Sequence, residues 1–309
     1  MRNIEAYHNR EVYLPDGPYT LFIEPTNHCN LACVFCPQKD QTRKKGFMSL
    51  EVYEKLIEDA AKSGVKKINL FFLGESLMHK GLEQMLKLGK EHGLQIRLNT
   101  NASFLFEDKA RMLFESGLDY LTISFEGISK EIYESVRVKG NYETTLKNIQ
   151  SAIAIKKSMQ SQTRISIEII DMEETRDAFP EFKARMEALN PDEVAVKVWR
   201  NWTGYLNSLK DVNLEDHYSV CSYPWRSMAV LWDGTFVPCC VDYDGKYPLG
   251  NSEQGVMAAW NSQAMLDLRT YLVKRKENLK KNHGFKSCHG LCAVCDIPFQ
   301  PEDHPRPKV

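Results

Sequence analysis

The sequence predicts an α/β protein: a partial (β/α)6 TIM-like barrel followed by a small C-terminal cysteine-rich α+β domain. Three observations predict it. Short β-rich runs alternate with amphipathic helical stretches over the first two thirds of the chain, the alternation stops near residue 210, and six of the nine cysteines lie beyond that point. The 309 residues are 43% hydrophobic, 10% aromatic and 26% charged. That is material for a sizeable core and lies outside the compositions of disordered, collagen-like or small disulfide-stapled chains.

The elements follow in order. Residues 1–17, an N-terminal extension reading MRNIEAYHNREVYLPDG, carry a charge every few positions and no apolar core, so they form no secretion signal and the chain is expected to stay in the cytosol. The barrel is placed at 18–210, with strands at Thr20–Glu24, Lys67–Phe72, Gln95–Asn99, Tyr120–Phe125, Arg164–Ile170 and Glu193–Val198. Ser49 caps a helix whose VYEKLIEDAAK repeats apolar residues at three- and four-residue steps, and Gly64 closes it. Further helices are expected at Leu82–Glu91, Glu107–Ser116, Tyr142–Lys157 and Thr175–Leu189, the last stopped by Asn190-Pro191. Six βα units are fewer than the eight that close a full barrel, which predicts an open barrel with its active site at the strands' C-terminal ends. From Asp211 a second domain, 211–298, opens with a Trp-Asp-Gly-Thr hairpin (Met228–Leu231, then Thr235–Pro238), and residues 299–309 form a proline-rich tail.

Charge and hydropathy exclude some partners. Forty Lys+Arg against 41 Asp+Glu give a formal charge of -1, so there is no overall basic field to gather nucleic acid or anionic lipid. No stretch approaches the ~20 apolar residues that span a bilayer. Neither a nucleic-acid nor a membrane partner is expected.

The cysteines carry the chemistry. Clustered cysteines in a reducing compartment bind metal or do redox work more readily than they pair. Cys29, Cys33 and Cys36 follow the first strand directly, and no other cysteine occurs before Cys221. Thiolates are soft ligands for zinc or for an iron–sulfur cluster. Structural zinc takes four ligands, whereas three cysteines on a 4Fe-4S cluster leave one iron open. The second group, Cys221, Cys239, Cys240, Cys288, Cys292 and Cys295, occupies the C-terminal third.

Glu24-Pro-Thr-Asn-His-Cys29-Asn-Leu-Ala-Cys33-Val-Phe-Cys36-Pro resembles the CxxxCxxC signature of radical S-adenosylmethionine enzymes, including the aromatic residue before the third cysteine. The resemblance implies that Cys29, Cys33 and Cys36 bind a catalytic 4Fe-4S cluster whose open iron is chelated by S-adenosylmethionine, with Phe35 near the adenine. Phe72-Leu73-Gly74-Glu75 is similar to the family's GGE motif, Leu73 replacing the first glycine, which implies that Gly74 and Glu75 meet the methionine ammonium. Asn99, Ser124 and Glu126 end the third and fourth strands where the family takes ribose and carboxylate contacts. The family's glycine-rich adenine motif is not legible, and Val194–Val198 occupies its place. Cys221-x12-Gly234-x4-Cys239 with Cys292-Ala-Val-Cys295, and Gly250-Asn251 followed by Trp260-Asn261-Ser262, resemble the SPASM or twitch auxiliary-cluster domain. A full SPASM domain uses seven cysteines. The six here imply one auxiliary 4Fe-4S cluster held by Cys221, Cys239, Cys292 and Cys295.

The resemblance further implies a cytoplasmic oxidoreductase fed by a reductase such as flavodoxin or ferredoxin. Its expected substrate is small and polar (sugar, cyclitol or aminoglycoside-like), held near Arg200 among Lys197, Trp199 and Trp202, and its reaction is oxidation of a secondary alcohol with the auxiliary cluster as acceptor. Cys240 and Cys288 stand outside the ligand set as candidate hydrogen-atom donors for an epimerase. A peptide-modifying maturase, or a zinc- or cluster-bearing binding protein without turnover, is the remaining alternative.

Overall fold

The computed structural model describes residues 2–198, 202, 218–280, 290–293, 295 and 297–299. Arg200, Cys288 and residues 300–309 lie outside the described residues. Each of the six barrel strands forms within a few residues of its expected place: β1 (Thr20–Ile23), β2 (Lys67–Asn69), β3 (Gln95–Thr100), β4 (Tyr120–Ser124), β5 (Arg164–Ile170) and β6 (Glu193–Lys197). All six pair in parallel in the order β6-β5-β4-β3-β2-β1.

The helices are α1 (Arg2–Asn9), α2 (Leu50–Lys62), α3 (Leu82–Glu91), α4 (Glu107–Glu115), α5 (Lys130–Val136), α6 (Tyr142–Ser158), α7 (Glu173–Arg176), α8 (Phe179–Glu187), α9 (Tyr223–Arg226), α10 (Val256–Trp260), α11 (Gln263–Lys280) and α12 (Gly290–Ala293). Ser49 accepts from Val52 N as the cap of α2, and Gly64 follows that helix at φ +84, the left-handed region that favours glycine. The helix expected at 175–189 is two helices. Pro180 has no N–H to give a continuing turn and sits in the first turn of α8, so α7 must end before it. Neither α1 nor α5 is among the expected elements, though Ser129 caps α5 by accepting from Ile132 N.

Residues alternate across the strands. Leu21, Ile23, Ile68, Ile96, Leu98, Leu121, Ile123, Ile165 and Ile167 are fully buried and form one core with the helices. The opposite face looks into the barrel lumen and carries Asn69, Arg97, Asn99, Thr122, Ser124, Ser166 and Glu168.

The C-terminal hairpin forms as expected, β7 (Ser227–Val230) with β8 (Thr235–Val237), but it does not stand apart. β7 lies parallel to β1, Thr20 opposite Ser227 and Ile23 opposite Val230, so the sheet continues through β7 and β8 to β9 (Gly250–Asn251). The N-terminal extension is seated on this same C-terminal part. Trp225 Nε1 donates to Glu11 O at 2.7 Å, Trp260 Nε1 to Asp16 O at 3.0 Å, and Leu14 exchanges two backbone bonds with the Asn261 side chain. The composition change at 210/211 is thus a boundary that the sheet crosses.

Candidate functional site

The loop after β1 carries Cys29, Cys33 and Cys36, and the loop after α5 holds it in place. Ala32 N donates to Val138 O at 2.9 Å and Val34 N to Val136 O at 3.0 Å. This short ladder brings Arg137 inward. The three cysteines line a cavity of about 220 Å³, open at its mouth, at the C-terminal ends of the barrel strands.

The turn after β2 forms the cavity's second wall. Gly74 has φ +94, and a Cβ there would meet Thr26 O at 2.4 Å and His28 O at 2.8 Å. Only glycine fits, and the close approach it permits is to the cysteine loop's own backbone. Glu75 N then donates to His28 O at 2.8 Å. The Glu75 carboxylate is buried and accepts from Thr100 Oγ1 at 2.8 Å, Asn101 N at 2.8 Å and Leu77 N at 3.1 Å. Burial raises its pKa above the usual carboxylate value, against the pull of those three donors.

Sulfur-facing donors complete the cysteine end. Asn101 Nδ2 lies 3.8 Å from Cys29 Sγ, and Arg137 Nη1 lies 3.7 Å from Cys33 Sγ. Burial pushes the Cys29 thiol up to about 11 and Cys36 up to about 12, and raises Cys33 as well. A bound metal displaces such protons outright. Three thiols on one loop, two N–H donors toward their sulfurs and an apolar shell of Leu31, Val136 and Met172 suit an iron–sulfur cluster.

The remaining expected residues divide. Phe35 lines the cavity with the Arg137 guanidinium 5.0 Å from its ring, and Ser124 and Asn99 also line it. Glu126 does not: it is fully buried, ion-paired with Arg137 Nε, and its other oxygen accepts from Ile170 N at 3.3 Å. Arg137, which the sequence reading passed over, takes the place at the cavity wall. Burial works against its charge, but Glu126 and Cys33 outweigh that and raise its pKa. No local signal marks Arg137 in the sequence, since its position follows from the pairing of 32–34 with 136–138.

The second cysteine group converges too. Cys221, Cys239, Cys292 and Cys295 line one small cavity of about 20 Å³, walled by Tyr223, Leu268, Leu272 and Ile297 with three prolines. Four thiols in an apolar chamber suit a soft metal centre. Arg275, buried, donates to Cys292 O at 2.6 Å and places a cation beside it. Cys240 is half-buried and lines neither cavity. Burial pushes its thiol up to about 11, against the pull of Lys197 and Arg226.

An open parallel α/β barrel with three cysteines at its mouth and four in an appended segment defines a class of iron–sulfur protein. The radical SAM superfamily model matches residues 23–182, more than half of the chain, and an iron-sulfur cluster-binding domain model, SPASM, matches 221–296. The chain belongs to the radical SAM superfamily. Its cofactors are a catalytic and an auxiliary 4Fe-4S cluster and S-adenosylmethionine.

Among curated relatives, the GTP 3',8-cyclase of Pelotomaculum thermopropionicum is 33% identical over 140 residues, covering 43% of this chain and 42% of the cyclase. The tungsten-containing aldehyde ferredoxin oxidoreductase cofactor-modifying protein of Pyrococcus furiosus is 23% identical over 251 residues, covering 71% and 70%. The chain thus spans less than half the length of that cyclase. Among solved structures, Streptococcus suis SuiB bound to S-adenosylmethionine aligns at TM-score 0.70 with 15% identity over 95% of this chain and 75% of SuiB. BtrN in complex with AdoMet and 2-DOIA aligns at 0.59 with 18% identity over 94% and 98%. At these identities the likeness is one of fold. Among the described residues no helix is long and apolar enough to cross a membrane.

Proposed function

We propose that this enzyme takes a hydrogen atom from a small polar substrate, sugar-, cyclitol- or aminoglycoside-like, and oxidises its secondary alcohol. The observation that carries the reading is Trp202, which lines the first cavity and also packs against Cys239, Val241 and Cys295 of the second. The two cysteine centres are one side chain apart. When bound, the cluster on Cys29, Cys33 and Cys36 supplies the electron that splits S-adenosylmethionine into methionine and a 5′-deoxyadenosyl radical, and the cluster on Cys221, Cys239, Cys292 and Cys295 supplies the acceptor for the electron the substrate releases.

The chain's own residues bind and orient. Glu75 offers its carboxylate to the methionine ammonium, and Arg137 offers a cation to the carboxylate end. Ser124 and Asn99 present polar groups between them, and Phe35 offers a ring to the adenine. The substrate loses one hydrogen atom, one electron and its hydroxyl proton, and becomes a ketone. An acidic one-electron carrier such as flavodoxin or ferredoxin feeds the catalytic centre.

One observation favours a second reading, epimerisation. Cys240 adjoins Cys239 in the sequence, and we keep it as the candidate thiol that would return a hydrogen atom.

Anaerobic reconstitution tests the proposal. About eight irons per chain and release of 5′-deoxyadenosine after dithionite are expected, with Cys29→Ala, Cys33→Ala or Cys36→Ala abolishing release and leaving about four irons. Retained release in the triple variant, or bound zinc without cleavage, would overturn it. In deuterated water, solvent deuterium on the product carbon that disappears in Cys240→Ala would replace oxidation by epimerisation.

A further inference from the structure

In the proposed reaction the cavity side of the cysteine loop is taken by S-adenosylmethionine and substrate, so the electron that starts each turnover enters from the loop's outer side. That side is thin. Cys33 and Phe35 are buried while Val34 between them is 40% exposed, so the alternation along this stretch turns the thiol inward and Val34 out. Val138, 39% exposed, adjoins Val34 through the ladder that pairs 32–34 with 136–138. Phe47, 44% exposed, stacks at 4.8 Å on His28, the residue before Cys29. A single exposed apolar side chain is ordinary, but three flanking one metal-binding loop mark a contact surface.

The charge around them is of one sign. Lys39, Lys44, Lys45 and Lys139 are exposed, and Asp40 is the one acid within 34–48 and 136–140. The two arginines of these segments point inward, Arg43 to the buried Glu24 and Arg137 to the buried Glu126. Exposed lysines on α2 and α3, Lys55, Lys62 and Lys87, each pair with a glutamate one turn back, whereas among the described residues the four lysines of the loop face lie in no ion pair. In a chain of formal charge -1 this is a local positive field with nothing on its own surface to neutralise it.

We infer that this outer face, centred on Val34, Val138 and Phe47 and rimmed by Lys39, Lys44, Lys45 and Lys139, is where the reducing partner docks, and that the partner is an acidic one-electron carrier protein of the flavodoxin or ferredoxin kind. The inference rests on the reading of the loop as the seat of the catalytic cluster. One electron passes from the carrier's reduced group to that cluster, and no bond forms or breaks in the step. A small apolar centre with a charged rim suits a transient electron-transfer contact, which must release the oxidised carrier after each delivery. The lysines steer the encounter, so they act on its rate and its salt dependence.

Charge reversal in the reconstituted full-length protein tests this, with reduced flavodoxin and dithionite as alternative electron sources. In Lys44→Glu/Lys45→Glu, flavodoxin-driven release of 5′-deoxyadenosine at low salt is expected to fall at least about 10-fold, with dithionite-driven release within about twofold of wild type. Raising KCl from about 50 to about 300 mM should slow flavodoxin-driven release by wild type and leave the variant nearly unchanged. Lys55→Glu/Lys62→Glu, on α2, should alter neither rate. Equal flavodoxin-driven rates in Lys44→Glu/Lys45→Glu and wild type, or the same loss in Lys55→Glu/Lys62→Glu, would overturn the docking face. So would a loss shared with dithionite, which would place the lysines in the site itself, or a dimer that the reversal dissociates in light scattering, which would give the face to a second copy. Flavodoxin binding is measured separately by calorimetry. If wild type releases no deoxyadenosine even with dithionite, the enzyme reading fails, while the binding of wild type against variant still judges the surface.

Discussion

Glu75 has two roles that substitution separates. As the acceptor for Thr100, Asn101 and Leu77 it braces the turn after β2 against the turn after β3, and as a cavity-lining carboxylate it is the group we propose for the methionine ammonium. Glu75→Ala leaves three buried donors without an acceptor, so a stability loss of about 2–5 kcal/mol is expected together with weak S-adenosylmethionine binding. Glu75→Gln keeps the volume and one acceptor oxygen but removes the charge. The Gln variant should melt closer to wild type yet bind S-adenosylmethionine about 10- to 100-fold more weakly, as read by equilibrium dialysis. Binding at wild-type affinity in Glu75→Gln would reduce Glu75 to a brace. The contrast with Glu126 shows what sequence carries at this scale. Both glutamates follow a strand and read as candidates, but Glu126 has a buried arginine eleven residues on and Glu75 has three neutral donors. Spacing within one loop identifies Cys29, Cys33 and Cys36, whereas a partner contributed by another loop leaves no local mark.

At the scale of elements, strands and long amphipathic helices were legible because periodicity and caps are local. β5 and α3 fall where the sequence places them. The failures also have local causes: Pro180 splits the helix at 175–189, and α5, with seven residues, is too short for its period to stand out. What orders the connections is harder to read. His79 joins the starts of two helices: its Nε2 donates to Met48 O at 2.8 Å, and its Nδ1 accepts from Gly81 N at 3.0 Å just before α3. That pairing requires the neutral ring. Burial lowers its pKa below the ordinary 6.5, against the bond to Met48 O that raises it. The sign follows. Below pH 6.5 the unfolded chain takes up a proton that the folded ring refuses, so His79's contribution is complete above 6.5 and declines as the pH falls toward the folded pKa. Urea midpoints between pH 7.5 and about 5.5 should therefore fall more steeply for wild type than for His79→Gln. Parallel slopes would show that the ring titrates normally.

For the whole molecule, the sheet decides whether the cysteine-rich segment is a separable module. A composition change at 210/211 suggests two units, but β1 is paired on both sides, with β2 and with β7, and Met228, Val230, Phe236 and Trp260 belong to the same core as Leu21 and Ile23. The loops bearing the two cysteine groups are also tied directly. Asp244 accepts from Thr42 N at 2.7 Å and from Thr42 Oγ1 at 2.7 Å, while Gln41 Nε2 donates to Tyr243 O at 3.0 Å. The N-terminal extension adds a third tie, since Arg269, fully buried, donates to both Val12 O and Pro224 O at 2.8 Å. A chain ended after Lys210 loses β7, bares the edge of β1 and strands the carbonyls of Glu11, Val12 and Asp16 without donors. An open parallel edge with apolar surface behind it pairs with other chains. The 1–210 fragment is therefore expected to aggregate, or to stay compact without a cooperative melt, despite holding all three residues of the catalytic cysteine motif. A soluble fragment that melts cooperatively and binds about four irons would show that the barrel folds alone and that β7 is an ornament on its edge. Asp244→Ala probes the same coupling in the full chain. Removing one acceptor for three donors, Thr42 N, Thr42 Oγ1 and Arg43 N, should lower stability by about 1–3 kcal/mol and broaden the spectra of both clusters together. A change confined to one cluster would mean that the two loops are positioned independently.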